Sequence, residues 1–344
     1  MPVIPSDPQA RLPQTLHLYR FMSHDTIVAV LSLFKEIPRG VLAVRGKDRA
    51  SFLHNVVSHD IKGLSAGQAR QACLLDRQGK IQFWTLAHAR PDEILLETAP
   101  ESAGPAKTAL ERYRVSESAE IEDLSGRFRV VALHGPAAPE VLRRAFPALE
   151  PPPASLRDAP GPGGSGIEMA GRWDLLGTPG FHLWMRPDKA EGAAKKLLEA
   201  GSPQGIADAG METFERLRIE AGVPWPGREI GPDVILNELG RDDLVSFTKG
   251  CYVGQEIVAR IKHRAHPPRL LTGFTMEGGA VPPTPAPIEQ QGQPMGTLTS
   301  ACRSPTLGRV IGLGFLKFGA PEAGLQIQTP SGPISAHIAP LPFV

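Results

Sequence analysis

The sequence has few cysteines, no excess charge of either sign and no long apolar run. Its three cysteines, Cys73, Cys251 and Cys302, are far apart and form no CxxC pair. This argues against a secreted disulfide framework and favours a reducing, cytoplasmic compartment. Lys and Arg total 37 against 36 Asp and Glu, so no overall field attracts nucleic acid or an anionic membrane.

Membrane and export segments are also lacking. The longest apolar run near the start spans residues 26–34, far short of the roughly 20 residues that cross a bilayer. The residues before it lack the basic, apolar and small-residue order of a secretory signal. We therefore expect no membrane segment and interpret residues 1–38 as an N-terminal extension.

The composition is that of a globular protein of two or three packed units. The chain has 344 residues, of which 41% are hydrophobic and 21% charged. From Gly40 onwards strand-like and helix-like runs alternate, with Asp48 as a candidate N-cap. Residues 71–89 predict a hairpin around the turn DRQG, and residues 147–166, rich in Pro, Gly and Ser, predict an exposed loop.

The sequence pattern changes near residue 267, from helical periodicity to short strand-like runs. Helices are expected at residues 187–201 and 211–222, the second ended by a glycine. Short strand-like runs separated by Gly, Pro and Ser then follow to the end, which is typical of a small β-barrel or sandwich. We therefore divide the chain into a body at 39–266 and a barrel at 267–344.

Reactive side chains are most concentrated between residues 246 and 264. Within the string KGCYVGQE, Lys249 is a cation, Cys251 a thiol, Tyr252 an aromatic ring, Gln255 an amide and Glu256 a carboxylate. A cation beside Cys251 would favour its thiolate and raise its reactivity. The alternative is a buried, inert cysteine in a turn.

The string KGCYVGQE resembles the signature of the YgfZ family, which is similar to the glycine-cleavage T protein. The resemblance extends over about residues 39–344. It is supported by VRGKDRASFLHNVVSHDI, LLDRQGKI, RLRIEAGVP, LNELG and GTLTSACRSPTLGRVIGLGFLK.

The resemblance implies an α+β fold with a T-protein-like, folate-binding body of two subdomains and a small C-terminal β-barrel. It implies a central tetrahydrofolate site, with Cys251 as the critical thiol and Lys249, Tyr252, Gln255 and Glu256 around it. Such proteins support assembly or repair of iron–sulfur clusters, including those of tRNA-thiolating radical enzymes. Iron–sulfur client proteins are then the expected partners.

Folate is a flat heteroaromatic molecule with hydrogen-bonding groups on one edge and carboxylates at its far end. Its site needs an apolar slot, a few amide or carboxylate partners and cations at the mouth. Arg218 and Glu220, just before the expected helix end, are further candidate ligands. An ordinary solvated helix pair is the alternative for these two residues.

A local cationic patch follows the signature at residues 260–269. It is a candidate for the folate tail, a phosphate or an RNA backbone, since such charges act on nearby anions. A solvated interdomain linker is at least as consistent with the sequence. The patch contains Arg260, Lys262, His263, Arg264, His266 and Arg269.

The resemblance does not extend to the acidic hairpin of the T protein. Phe83 and Trp84 stand where its acids would be, and Thr178 and Pro179 replace a second acidic pair. A positioned carboxylate tunes protonation at the reacting nitrogen, so we expect folate binding without aminomethyl transfer. Asp76 in the neighbouring turn is a partial substitute and keeps an aminomethyltransferase as the alternative.

A thiol redox or RNA-binding module is the third possibility. Cys251 could hold one iron of a transient cluster shared with a partner. One chain cannot complete such a cluster, because four cysteine or histidine ligands are usual. Cys73 and Cys302 lie in strand-like runs and are interpreted as core, so no resident metal site is expected.

Overall fold

The structure is a computed structural model that describes residues 31–344. Their strands form a five-stranded sheet, a six-stranded sheet and a closed six-stranded barrel. Most of the expected N-terminal extension lies outside these residues. Its last part belongs to the body, because Leu33 and Phe34 are buried in a strand of the six-stranded sheet.

Seventeen strands occur in the described part of the chain. They are β1 (Ser32–Phe34), β2 (Gly40–Arg45), β3 (Ala69–Leu75), β4 (Ile81–Ala89), β5 (Glu93–Thr98), β6 (Glu120–Asp123), β7 (Arg129–His134), β8 (Arg157–Pro160), β9 (Ile167–Arg172), β10 (Gly180–Met185), β11 (Ala207–Asp208), β12 (Arg269–Met276), β13 (Ala286–Gln290), β14 (Gln293–Ser304), β15 (Arg309–Lys317), β16 (Leu325–Ile327) and β17 (Ile334–Ala339).

Six α-helices accompany the strands within residues 31–344. They are α1 (Arg49–Val56), α2 (Pro100–Tyr113), α3 (Ala138–Ala145), α4 (Pro187–Gly201), α5 (Met211–Glu220) and α6 (Gln255–Arg264). Single 3₁₀ turns lie at Ser202–Gln204, Leu236–Leu239 and Asp242–Leu244.

The first subdomain is the sheet β3-β4-β5-β2-β6 with α1 and α2 on one face. Alternation along β2 explains this layering. Leu42 and Val44 pack with the helices, whereas Val41 and Ala43 point to the opposite face and meet Trp184 of β10. The sheet is therefore buried on both faces along this strand.

The second subdomain is the sheet β11-β1-β7-β10-β9-β8, covered by α3 and α4. Phe181 and Leu183 of β10 pack beneath these helices, and His182 and Trp184 point the other way. The body therefore has helix, sheet, sheet and helix layers. The expectation of an α+β body of two subdomains is confirmed.

The C-terminal unit is a closed barrel of the order β12-β15-β14-β13-β16-β17. Its interior contains Phe274, Ile288 and Leu298, which are completely buried. The predicted small barrel is confirmed, and its first strand begins at Arg269.

Local expectations are partly corrected. The loop expected at 147–166 contains β8, which pairs with β9 at the sheet edge. Residues 260–269, for which a solvated linker was the alternative to an anion-binding patch, contain the end of α6. Asp48 occupies the N-cap of α1, but its carboxylate accepts from the backbone N–H of Ser118 instead of capping the helix. No helix in the described residues is long and apolar enough to span a bilayer.

Candidate functional site

Three tryptophans meet where the two sheets and the segment after α5 come together. Trp84 lies on β4, Trp173 follows β9, and Trp225 follows α5. Their ring centroids are 5.6 Å apart for Trp84 and Trp173, and 6.5 Å apart for Trp173 and Trp225, both stacked. We call Trp84, Trp173 and Trp225 the tryptophan cluster, a set of flat apolar faces at the centre of the body.

A first hollow, with a volume of only about 10 Å³, borders all three tryptophans. Leu175, Val223 and Leu244 are among its apolar walls, and its polar side chains are those of Gln71 and Arg241. No carboxylate among residues 31–344 contributes to its lining. Side chains of these types contact flat rings with hydrogen-bonding edges. Both polar ones also contact Asp243, Arg241 at 2.6 Å and Gln71 at 3.5 Å.

A second hollow of about 150 Å³ shares Trp84, Trp225 and Pro226 with the first. Its other walls include Arg39, Thr98, Met211 and the start of α2. The two hollows thus border the same two indoles but differ in their charged groups.

The signature loop, residues 249–256, is anchored to the end of α1 by Lys249. Its Nζ donates to the backbone carbonyls of His54, Val57 and His59, the last two at 2.6 and 3.3 Å. These carbonyls lie at the helix end, where they lack intrahelical partners and where positive charge is favourable. Burial lowers the pKa of Lys249 to about 8. Lys249 therefore stabilises the fold by joining the signature loop to the end of α1.

Tyr252 and Gly254 fasten the same loop to the β3–β4 turn. The Lys249 Nζ lies 4.9 Å from the centroid of the buried Tyr252 ring, and burial raises the pKa of Tyr252 to about 12. Gly254 has a φ of +84°, and a Cβ there would lie 2.6 Å from the carbonyl oxygen of Asp76. Only glycine fits this left-handed, closely packed position.

Cys251 projects to solvent from this loop. It is exposed, whereas Cys73 is buried and Cys302 is half-buried. Burial raises the pKa of the Cys73 thiol far above its usual range and that of Cys302 to about 12. Among the cysteines of residues 31–344, Cys251 therefore has the most accessible thiol, as expected of a functional cysteine.

Gln255 and Glu256 are the first two residues of α6. The exposed carboxylate of Glu256 lies in the first turn, where the helix dipole favours a negative charge. Residues 249–256 line neither hollow. The structure thus brings Lys249, Cys251, Tyr252, Gln255 and Glu256 together in one loop, but away from the walls of both hollows.

Arg218 is neither a solvated residue nor available to a ligand. It is fully buried, and all five of its N–H groups have acceptors in the fold: Glu215, which receives two, and Glu229, Ser300 and the carbonyl of Val223. Its role as a folate ligand finds no support in this geometry, because no donor is left.

Glu220 is likewise a buried structural group. Its carboxylate accepts from the hydroxyl of Ser304 at 2.5 Å and lies 3.6 Å from Arg216. Its backbone carbonyl accepts from the N–H of Phe343 at 2.9 Å. Arg218 and Glu220 therefore join α5 to the barrel, and the solvated helix pair considered for them is wrong.

The cationic patch lies on the exposed end of α6 and the residues after it. Lys262 pairs with Asp242 at 2.5 Å, and its Nζ lies 5.6 Å from the ring centroid of Phe247. Arg269 donates to Glu238 at 3.0 Å. Arg260 and Arg264 are exposed and have no ion pair within residues 31–344. Part of the patch is thus neutralised and part is free for anions.

A polar cluster between the two sheets was not predicted. Glu97 is fully buried, pairs with Arg39 and lies 3.2 Å from His88, which also contacts Asp158 at 2.9 Å. Burial alone would lower the pKa of His88, but the two carboxylates raise it to about 10. These residues share no sequence motif, so pattern alone does not reveal them. The tryptophan cluster had a weak signal, since only four tryptophans occur in the chain.

Lys249→Met is expected to destabilise the protein by about 1–3 kcal/mol, because the carbonyls at the end of α1 lose their charged donor. The measurement is the free energy of unfolding in urea. Lys262→Met is the matched control, since its ion pair is exposed, and such pairs contribute about 0–1 kcal/mol. Equal stability of the two variants would contradict the anchoring role.

Two family matches together cover nearly the whole described chain. Residues 24–249 match the GCVT N-terminal domain. Residues 269–344 match the glycine cleavage T-protein C-terminal barrel domain. The junction between the matches falls at the end of α6, next to the start of the barrel.

Several curated relatives are named aminomethyltransferase. The protein of Caldanaerobacter subterraneus is 28% identical over 89% of this chain and 82% of its own length. That of Rubrobacter xylanophilus is 28% identical over 93% of this chain and 85% of its own length. The glycine cleavage system aminomethyltransferase T of Bartonella henselae has a similar fold, with a TM-score of 0.80 at 21% identity, over 92% of this chain and 87% of that one.

Proposed function

Because the chain belongs to the glycine cleavage T-protein family, we propose that it binds tetrahydrofolate as a non-catalytic accessory protein. The pteridine ring occupies the first hollow against the tryptophan cluster. Gln71 offers an amide to the ring edge, and the guanidinium of Arg241, which is paired with Asp243 at 2.6 Å, lies on the same wall. The hollow has a volume of about 10 Å³, room for about one water molecule and far below the roughly 300–1,000 Å³ of typical ligand pockets, so its walls must move apart to admit the ring.

The observation that carries the accessory role is the lack of a carboxylate on this lining within residues 31–344. Phe83 points into the core beneath α1 and α2, and Trp84 occupies the wall of the hollow. Asp76 is engaged in its own turn, where Oδ1 accepts from the backbone N–H groups of Gln78 and Lys80, both at 2.9 Å. Asp243 contacts Gln71 at 3.5 Å and Arg241 at 2.6 Å, behind the wall of the hollow. Neither Asp76 nor Asp243 therefore lines the hollow, where a carboxylate could tune protonation at the reacting folate nitrogen.

Cys251 supports the iron–sulfur part of the proposal. It lies exposed in a loop that resembles the YgfZ signature, and its position suits transient contact with client proteins such as tRNA-modifying radical enzymes. No group of three or more metal-ligating side chains occurs within residues 31–344. A shared cluster would therefore take its other ligands from the partner, and RNA would meet the free arginines of the 260–269 patch.

Aminomethyl transfer is the second candidate, and the names of the relatives favour it. A tetrahydrofolate titration followed by tryptophan fluorescence tests binding, and an assay for methylenetetrahydrofolate formation tests transfer. The accessory role predicts quenching without turnover. Turnover at the rate of a genuine aminomethyltransferase would establish the alternative.

A cytoplasmic location stays a prediction from the unpaired cysteines.

Trp84→Phe is expected to weaken tetrahydrofolate binding about tenfold, because base–aromatic stacking contributes on the order of 1–3 kcal/mol. Trp184→Phe is the matched control, since this buried tryptophan lies between the sheets and lines neither hollow. Calorimetry gives both affinities. Equal affinities would place the folate elsewhere.

Cys251→Ala is expected to leave the fold intact and to abolish support of a cluster-dependent tRNA-thiolating enzyme in cells. Alkylation of the native protein should label one thiol per chain, and Cys251→Ala should label none, because Cys73 is buried and burial raises the pKa of the half-buried Cys302 to about 12. Cys302→Ala is the control and should keep the label. Unchanged tRNA thiolation in the Cys251→Ala strain would reject the proposed role.

A further inference from the structure

The second hollow combines a cation, a carboxylate and two indoles. Arg39, Glu101, Trp84 and Trp225 all line it. Neither the tetrahydrofolate proposal nor the thiol proposal uses these charged groups. Glu101 and Met211, which also line it, are exposed.

Arg39 has one unused pair of N–H groups facing this region. Its side chain is only 5% exposed, its Nε donates to Glu97, and its Nη1 donates to the carbonyl of Pro38 at 3.1 Å. Its Nη2 is buried and has no partner within residues 31–344. A buried donor without an acceptor is costly, and an incoming carboxylate would supply the missing acceptor.

The start of α2 provides a second attraction for an anion. Ala99, Pro100 and Glu101 line the hollow and form the N-terminal end of this 14-residue helix, which has no side-chain cap. Pro100 has no N–H and the N–H of Ser102 donates to the Ala99 carbonyl at 3.0 Å, so the attraction for a negative charge at this end comes from the helix dipole and the N–H of Glu101. Arg39 and the helix end thus act on the same anion.

Glu101 adds the opposite charge at the mouth. Its exposed carboxylate has no ion pair within the described part of the chain. It would repel a simple dianion such as phosphate but attract an amine. The indole of Trp225 already receives one cation, since the Arg39 guanidinium carbon lies 4.8 Å from its centroid.

We propose that the second hollow is a binding site for a small amino acid with an apolar side chain. Its carboxylate binds Arg39 Nη2 and the start of α2, and its ammonium group binds Glu101. Its side chain lies against Trp84, Trp225 and Met211. Arg39 Nη2 is shielded from water, so the Trp225 indole must move for the ligand to reach it. Binding therefore changes the tryptophan fluorescence.

The test uses three probes with the same phenyl group: L-phenylalanine, 3-phenylpropionate and 2-phenylethylamine. Calorimetry on the full chain should show L-phenylalanine binding at least about tenfold more tightly than either probe that lacks one charge, since a charged hydrogen bond contributes on the order of 1.5–3 kcal/mol. Equal affinities for the three probes, or no binding of L-phenylalanine at millimolar concentration, would overturn the proposal.

Two variants separate the charged groups. Glu101→Gln should weaken L-phenylalanine about tenfold and leave 3-phenylpropionate unchanged, while Arg39→Lys should weaken both. Because Arg39 also pairs with buried Glu97, that variant counts only if its melting temperature is retained. Glu101 has no such structural partner, so Glu101→Gln tests the proposal whether or not Arg39→Lys is stable. Unaltered L-phenylalanine affinity in Glu101→Gln would refute the assignment.

Asp188→Asn is the matched control, because Asp188 is an exposed acid in the first turn of α4 and lies outside the hollow. It should bind L-phenylalanine like the native protein. Competition with tetrahydrofolate completes the design. Independent binding of the two ligands supports a separate amino-acid site, and mutual displacement would assign the hollow to folate and overturn it.

Discussion

Arg218→Leu is expected to destabilise the protein by about 3–5 kcal/mol, the range seen when one partner of a buried ion pair is removed. The reason is the position of Glu229, which is fully buried and receives Nη1 of Arg218 at 3.1 Å. Without the guanidinium, its charge remains buried and uncompensated. The free energy of unfolding in urea measures this loss.

The same substitution should loosen the site as well as the fold. Glu229 accepts from the backbone N–H of Trp225 at 3.1 Å and from the hydroxyl of Ser300 on β14 at 2.6 Å. Arg218 thus connects the barrel, α5 and the tryptophan cluster through one carboxylate. The tryptophan emission of Arg218→Leu should shift to the red at temperatures where the fold persists.

Lys195→Leu serves as the control, because its ion pair with Glu199, at 3.9 Å, is exposed on both sides. It should cost less than about 1 kcal/mol. In the double variant Arg218→Leu/Glu229→Leu much of the loss should be recovered, since the uncompensated charge is gone. If Arg218→Leu alone were as stable as the native protein, Glu229 would have to bind another partner or be protonated.

Local sequence patterns predicted the elements that have local causes. The barrel strands are separated by turn residues, and the hairpin of β3 and β4 follows from apolar runs on both sides of DRQG. The signature loop was also correctly interpreted as accessible at Cys251. In these cases the residues close in sequence determine the outcome.

The site depends instead on contacts between distant residues. Lys249 looked like a partner for Cys251, but the carbonyls that hold it come from α1, about 190 positions earlier. Arg218 was a candidate folate ligand, with a solvated helix pair as the alternative, because helix periodicity does not reveal its acceptors at Glu229 and Ser300. The tryptophan cluster likewise gathers three segments that only the packing of two sheets brings together.

Stability of the protein should depend on pH through the polar cluster between the sheets. The pKa of His88 is raised to about 10, so its contribution is complete below the unfolded value of 6.5 and is lost as pH rises towards 10. Burial lowers the pKa of His182 to about 4. Its contribution is therefore lost as pH falls from 6.5 towards 4. The contribution of this cluster to stability should be greatest near pH 6.5.

His88→Gln is expected to lower stability by about 3–5 kcal/mol near pH 6.5, because Glu97 and Asp158 lose the cation between them. It should also flatten the decline between pH 6.5 and 9, since the residue that keeps its proton in the folded state is gone. Urea unfolding at several pH values measures both effects. The exposed His337, paired with Glu277, gives the control His337→Gln, which should keep the native profile. An alkaline decline that survives unchanged in His88→Gln would mean that His88 is not the group that holds the proton.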